Sequence, residues 1–362
     1  MSKARNGPWL LVLMAACVGP PPPQQDATIC DSCAVALRPV AALDFADAPF
    51  MPSMFVNVEQ MSDGTFGVVD LARGGTEILH FASTGVFVDS HLMRGAGPGE
   101  AMRINALLAI GDSLLVIDEG TARCTMLDAE FEYIRDLPCF GNPLDAAHVD
   151  GRLYLTGLGP MELVEIGLAD GEREQPKWEG VPVPVSDDYA SIAGGSDGVW
   201  FAQHPNQYRM TYWRTGETNP SRVIERTPAW WQDGEPFLMD LGPNGVRGRI
   251  IPGAEERQVM RGPLLFNIAV SDGFIWTASY IHTRQDRQYF NFLEAWLGQG
   301  LQGDVIVFVE ALTPEGELIA VESFDDLAPP RFTAGGLMYT VTKEGHGTGV
   351  TLYQPKVVRR DQ

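Results

Sequence analysis

The sequence predicts an all-β fold: a six-bladed β-propeller of four-stranded antiparallel blades, its ring closed by an N-terminal outer strand. Three observations predict it. A β-run, an Asp/Gly turn and a second β-run recur six times, a second hairpin follows most of the copies, and the apolar periodicity is two rather than 3.6 almost throughout.

The six first hairpins are MFVNVEQ-MSDG-TFGVVD (54–70), ALLAI-GD-SLLVID (106–118), AHVD-GR-LYLTGL (147–158), SIAGGSDG-VWFAQ (191–203), LFNIAVSDG-FIWTASY (265–280) and RFTAGG-LMYTVT (331–342). The second hairpins are EILHFA-STG-VFVDS, CTMLD-AE-FEYIRDL, MELVEIG-LADGE, YRMTYW-RTGE and VIVFVEAL-TPEG-ELIAV. Their strands are rich in Val, Ile, Phe, Tyr and Trp, and their turns carry Gly, Asp and Asn. Two successive hairpins make a four-stranded sheet that cannot bury both faces by itself. Radial stacking of such sheets supplies the missing partner surfaces, whereas a β-sandwich has no need of one hairpin-pair unit six times. The sixth unit has strands at Leu337–Val341 and Val350–Tyr353 with little left for an outer strand, and Ala34–Phe45 is an unpaired β-like stretch. The N-terminal stretch is therefore expected to supply that strand and remove a free edge.

Within the units, SLLVIDEGTARCTMLDAEFEYI (113–134) resembles the repeats of TolB-like and NHL-repeat six-bladed propellers. GAGPGE (Gly95–Glu100) resembles a turn recurring in uncharacterised bacterial six-bladed propeller lipoproteins. The resemblance implies the same architecture over most of the chain. Its motifs are sharp in the first two units, and the Asp that ends their second strand (Asp70, Asp118) is replaced in units three and five. GAGPGE lacks the GxxxxGK[ST] pattern of a phosphate loop, so it reads as a blade-junction corner: Gly97 and Gly99 at positive φ, Pro98 stiffening it, Glu100 capping amides.

The N-terminus sets the compartment. Lys3 and Arg5 precede the apolar run Trp9–Ala16, too short to span a bilayer as a helix, so residues 1–16 read as a signal peptide. MAAC at Met14–Cys17 resembles the bacterial lipobox, which makes Cys17 the expected lipidation site. Residues 17–29, with PPPPQQ at Pro20–Gln25, form an extended tether, and residues 30–362 the propeller. The expected location is beyond the bacterial inner membrane, periplasmic or on the outer surface, held by the N-terminal lipid. The remaining four cysteines are even in number, as an oxidising compartment favours. Cys30–Cys33 has redox spacing, but neither a haem-ligating His nor a thioredoxin-like βαβ context accompanies it. A local structural disulfide is the expectation there, and Cys124–Cys139, on neighbouring strands, is expected as a second. The 47 Asp+Glu against 26 Lys+Arg give a net charge of −21, a field that repels phosphate backbones and argues against nucleic acid as a partner.

Propeller topology puts blade-to-blade connections and middle-strand loops on one face, the Asp/Gly turns on the other. The first face collects GAGPGE, Asp118–Arg123, His204–Gln207, Lys343–Gly349 and two insertions, 228–262 and 282–304. The second insertion holds a segment, Tyr289–Leu297, that can form a short amphipathic helix. Trp230, Trp231, Tyr289 and Trp296, with Arg284 and Asp118, are the candidate ligand-binding residues, since loop aromatics stack on sugars or pack around peptides. The insertions folding onto each other as a satellite core is the competing reading. His204, His282 and His346 come from middle-strand loops of three units and could converge as zinc ligands. No spacing motif supports that triad, and His80, His91 and His148 fall on strands and read as structural. The leading expectation is a cofactor-free, non-enzymatic binding module for a peptide, glycan or protein. A zinc-dependent lyase or hydrolase using the three loop histidines is the alternative.

Overall fold

The computed structural model describes residues 29–53, 56–139, 143–157, 164–169, 173–174, 191–203, 208–228, 230, 236–238, 258–260, 264–282, 305–325, 327–344 and 347–360. These residues form six four-stranded antiparallel sheets arranged as the blades of a propeller, plus one two-stranded ladder. Blade 1 is β2 (Val56–Gln60), β3 (Phe66–Asp70), β4 (Glu77–Phe81) and β5 (Phe87–Leu92). Blade 2 is β6 (Ile104–Ile110), β7 (Ser113–Asp118), β8 (Arg123–Leu127) and β9 (Tyr133–Pro138). Blade 3 is β10 (Pro143–Val149), β11 (Arg152–Gly157), β12 (Val164–Gly167) and β13 (Arg173–Glu174). Blade 4 is β14 (Ser191–Gly194), β15 (Gly198–Gln203), β16 (Tyr208–Arg214) and β17 (Arg222–Arg226). Blade 5 is β20 (Leu264–Ser271), β21 (Phe274–His282), β22 (Val305–Leu312) and β23 (Leu318–Phe324). Blade 6 combines β24 (Arg331–Phe332), β25 (Met338–Glu344) and β26 (Gly347–Arg359) with β1 (Cys33–Leu43).

In blade 6, β1 runs antiparallel to β26 from Cys33↔Arg359 to Leu43↔Val350, so the first strand of the chain stands beside the last. The inner strand of each blade lies against the inner strand of the next, as β2 does against β6, β6 against β10, and β14 against β20. The repeated turns have the chemistry their position demands. Asp150–Gly151 and Asp272–Gly273 both take positive φ at two consecutive residues (49° and 74°, 53° and 79°), the pattern of a type I′ turn, which matches strand twist.

The core confirms why no blade folds alone. Among the described residues the buried apolar side chains form six main clusters, and each one straddles a seam between neighbouring blades. At the seam of blades 2 and 3, for example, Leu108, Leu115 and Ile117 meet Leu153, Leu155 and Ile166. The period-two alternation thus feeds both faces of every blade, one side chain to each neighbour.

The seam of blades 4 and 5 also carries a buried polar lock. Glu310 on β22 accepts hydrogen bonds from the Tyr208 hydroxyl (2.5 Å), from Thr277 Oγ1 (3.2 Å) and from Arg226 Nη2 (3.3 Å). The Glu310 and Arg226 side chains are only 1% and 6% exposed. Burial and the Glu310 carboxylate hold the Tyr208 hydroxyl well above the ordinary phenol range. The Arg226 guanidinium also lies over the Tyr208 ring, 4.9 Å from its centroid.

Cys30 is joined to Cys33 and Cys124 to Cys139, with Cα atoms 5.4 Å apart in both. The first bridge lies where β1 begins, and the second ties β8 to the end of β9. At the GAGPGE corner the structure corrects one detail. Gly99 takes φ +75°, but Gly97 does not adopt a left-handed conformation; its N–H instead donates to Glu100 Oε2 (2.6 Å). The Glu100 carboxylate fills the space a Cβ on Gly95 would need. Among the described residues no helix is long and apolar enough to cross a membrane.

Candidate functional site

Each blade sends one polar side chain from the start of its inner strand into the central channel: Asn57, Asn105, Asp145, Ser191, Asn267 and Arg331. They line a cavity of about 770 Å³. The same residues clasp the ring. Asn57 Oδ1 accepts the Leu107 N–H of the next blade (2.8 Å), Asp145 Oδ2 accepts that of Ile192 (3.0 Å), and Ser191 Oγ accepts that of Ile268 (3.1 Å). Asn267 Oδ1 accepts the Phe332 N–H (2.8 Å), and Arg331 Nη1 donates to the Val56 carbonyl (3.4 Å) to return to blade 1. An inner strand facing a channel has no strand beyond it, so side chains from the neighbouring blade satisfy its outward backbone groups.

Two residues further along each inner strand lie Glu59, Leu107, Ala147, Ala193, Ala269 and Thr333. Ala147, Ala193 and Ala269 are small, and Glu59 is the one ionisable member of this tier. Its carboxylate accepts the Ala334 N–H at 3.1 Å from both oxygens and is only 3% exposed. Burial pushes the Glu59 carboxyl well above the usual carboxylate range, against the pull of hydrogen bonds from the Ala334 and Ala109 backbones. Burial raises Asp145 to about 6, opposed by hydrogen bonds from Ile192, Ala146 and Ser191 and by the charge of Arg331. Arg331 faces Tyr339, whose hydroxyl burial pushes up to about 12. At one mouth Arg103 pairs with Glu119 (2.7 Å). The channel therefore offers one inner-ring cation, two carboxyls held toward their neutral forms, and a girdle of amide and hydroxyl groups.

The loop residues singled out from the sequence fare differently. Asp118 is fully buried, and its carboxylate accepts hydrogen bonds from Met102 N (3.0 Å), Arg103 N (2.7 Å), Gly120 N (2.9 Å) and Thr121 Oγ1. That corrects its expected role as a ligand contact: with its lone pairs engaged, it fixes the chain arriving at β6. Asp70 does the same in blade 1, accepting from Ser53 N (2.7 Å), Ser53 Oγ (2.6 Å) and Ala72 N (3.0 Å). Trp230 is half-buried and stacks on Phe308 of blade 5, centroids 4.3 Å apart and planes 5° apart. It also meets Tyr208 edge-on, above the Glu310 lock. Trp231, Arg284, Tyr289 and Trp296 lie outside the described residues, as do the expected helix at Tyr289–Leu297, the histidines His204 and His346, and Cys17. His282 ends β21 opposite Val305; its side chain is likewise outside them. From the first insertion, β18 (Pro236–Leu238) pairs antiparallel with β19 (Gln258–Met260). The channel residues were missed in the sequence, although each unit opens with its polar residue: VNVEQ, INALLA, LDAAHV, SIAGG, FNIAVS and RFTAGG. No fixed spacing from the turn marks them, since they stand between one and five residues before the last ladder residue of the inner strand.

Fold and channel define a class: a six-bladed β-propeller with a polar, ionisable central channel. Among solved structures the chain is similar to a DUF4221 family member from Bacteroides vulgatus ATCC 8482, with a TM-score of 0.53 and 11% identity over 90% of this chain and 99% of that one. It is also similar to a presumed exported protein from Bacteroides fragilis NCTC 9343, with a TM-score of 0.52 and 9% identity over 93% and 98% of the two chains. At these identities the likeness is one of fold. No protein-family model and no curated protein matches the sequence.

Proposed function

We propose that this protein is a non-enzymatic binding module of the bacterial cell envelope, tethered through a lipidated Cys17 and the Pro-rich segment. Its central channel takes a polar group of a peptide, glycan or protein partner. The channel carries this reading: six blades place Asn57, Asn105, Asp145, Ser191, Asn267 and Arg331 around one cavity of about 770 Å³, within the usual size range of small-molecule sites. Arg331 suits a carboxylate or a sugar hydroxyl, and the amides and Asp145 suit amine and hydroxyl donors. The export signal expected at the N-terminus and the exported-protein description of one structural neighbour both fit an envelope location.

The test is a thermal-shift screen of the purified chain against dipeptides, amino sugars and disaccharides, repeated with Arg331→Gln. A ligand that raises the melting temperature of the wild type, with an affinity at least about tenfold weaker for the variant, supports the channel as the site. Ligands that bind both forms equally well, or a panel without ligands, count against it.

A further inference from the structure

We propose that His80, Asp89 and His91 form a binding site for a divalent first-row transition metal, zinc in the first place, on the outer half of blade 1 and independent of the channel. His80 on β4 stands directly opposite Asp89 on β5, and His91 is two residues further along β5. Antiparallel pairing and the two-residue strand period therefore put all three side chains on one face of the blade. Asp89 Oδ1 is 3.1 Å from His80 Nδ1 and 3.2 Å from His91 Nε2. One donor atom from each of the three residues lies within 4.8 Å of the others. Tetrahedral zinc with bonds near 2.0–2.1 Å sets its ligand atoms about 3.3 Å apart, so the two histidine–aspartate separations already suit the ion.

The rings are held in place before any metal arrives. Phe131 of blade 2, itself buried, stacks on His91 (centroids 4.7 Å, planes 14° apart) and packs against His80 (4.7 Å). Both imidazoles stand on strands rather than loops, which is where a preorganised ligand set is most precise. His80 Nε2 is buried and has no hydrogen-bond partner. Asp89 is 54% exposed, which leaves the side of the site facing solvent open for a water as the fourth ligand. Two imidazoles and one carboxylate suit zinc, copper(II), nickel and cobalt(II), and do not suit calcium or magnesium, which prefer all-oxygen sets.

The experiment uses the full-length chain, stripped with a chelator and titrated with cobalt(II) and then zinc by absorption spectroscopy and calorimetry. One equivalent of cobalt is expected, with the visible bands of a low-symmetry site, displaced by one equivalent of zinc. His91→Ala and the exposed Asp89→Asn should each weaken binding at least about tenfold. His148→Ala and the combined His204→Ala, His282→Ala, His346→Ala variant should leave it unchanged. Undiminished affinity in both His91→Ala and Asp89→Asn, loss of binding only in the triple variant, or no stoichiometric binding at all would overturn the proposal. Asp89→Asn guards against misfolding, because this exposed side chain's hydrogen-bond partners are the two imidazoles themselves.

Discussion

Removing the carboxylate of Glu310 while keeping its shape tests how blades 4 and 5 are held together. In Glu310→Gln one of the two oxygens becomes an N–H₂ group. If the remaining oxygen stays on Tyr208 and Thr277, the new donor faces the Arg226 guanidinium, donor against donor. A guanidinium whose side chain is 6% exposed then loses the counter-charge of Glu310. Breaking a buried ion pair by removing one partner costs about 3–5 kcal/mol, mostly from the stranded charge. Arg226→Met is expected to fall in the same range. Both removed together, as Arg226→Met with Glu310→Met, leave Tyr208 and Thr277 bonded to each other at 3.0 Å and should cost about 1 kcal/mol or less. With Glu310→Met as the second single variant, expected in the same range of about 3–5 kcal/mol, the coupling read from this double-mutant cycle by urea denaturation at neutral pH is at least about 5 kcal/mol. A Glu310→Gln cost under about 1 kcal/mol, or additive single effects, would refute the lock.

Further outcomes follow from the channel and the disulfide. Asn267→Ala removes the acceptor of the Phe332 N–H and a donor to Ser191, so chemical denaturation should show a loss of about 1–3 kcal/mol. Asp145 carries its proton in the folded state up to about pH 6, against 3.8 for a free side chain, so the native form binds the extra proton between those values and the contribution of Asp145 to stability falls as pH rises through that window. Relative to Asp145→Asn, which does not titrate, the wild type should lose about 1–3 kcal/mol between pH 3.5 and 6.5; the upper figure is about two pH units at about 1.4 kcal/mol each, and channel water lowers it. A stability difference between the two proteins that is flat with pH would contradict the assignment. Cys124 and Cys139 close a loop of 15 residues, so the double alanine variant should lose about 3 kcal/mol of unfolding free energy.

Much of this architecture is legible in the chain because its signals are local and repeated. The Asp/Gly turns separate strands whose alternation supplies both faces of a blade, and six copies leave radial stacking as the way to cover them. The channel is less visible, because Asn57, Asn105, Asp145, Ser191, Asn267 and Arg331 are four residue types that share a place in three dimensions but no chemical signature. The Asp118 reading went astray for a related reason: a loop aspartate looks alike in sequence whether it faces a ligand or, as here, the backbone amides of the segment before its own inner strand. His80 and His91 read as structural because no short motif joins residues on two strands, and only the register of β4 on β5 brings them to Asp89.

Thiol protection reads directly whether a ligand sits in the channel. A single cysteine is placed at Ala193, a buried channel-lining position on β14, in a Cys17→Ser background, and its labelling by a small maleimide is followed with and without saturating ligand from the thermal-shift screen. Ligand in the channel should slow labelling at least about tenfold, in proportion to occupancy. Labelling at an unchanged rate while the ligand is fully bound would place the site elsewhere and contradict the proposed channel site.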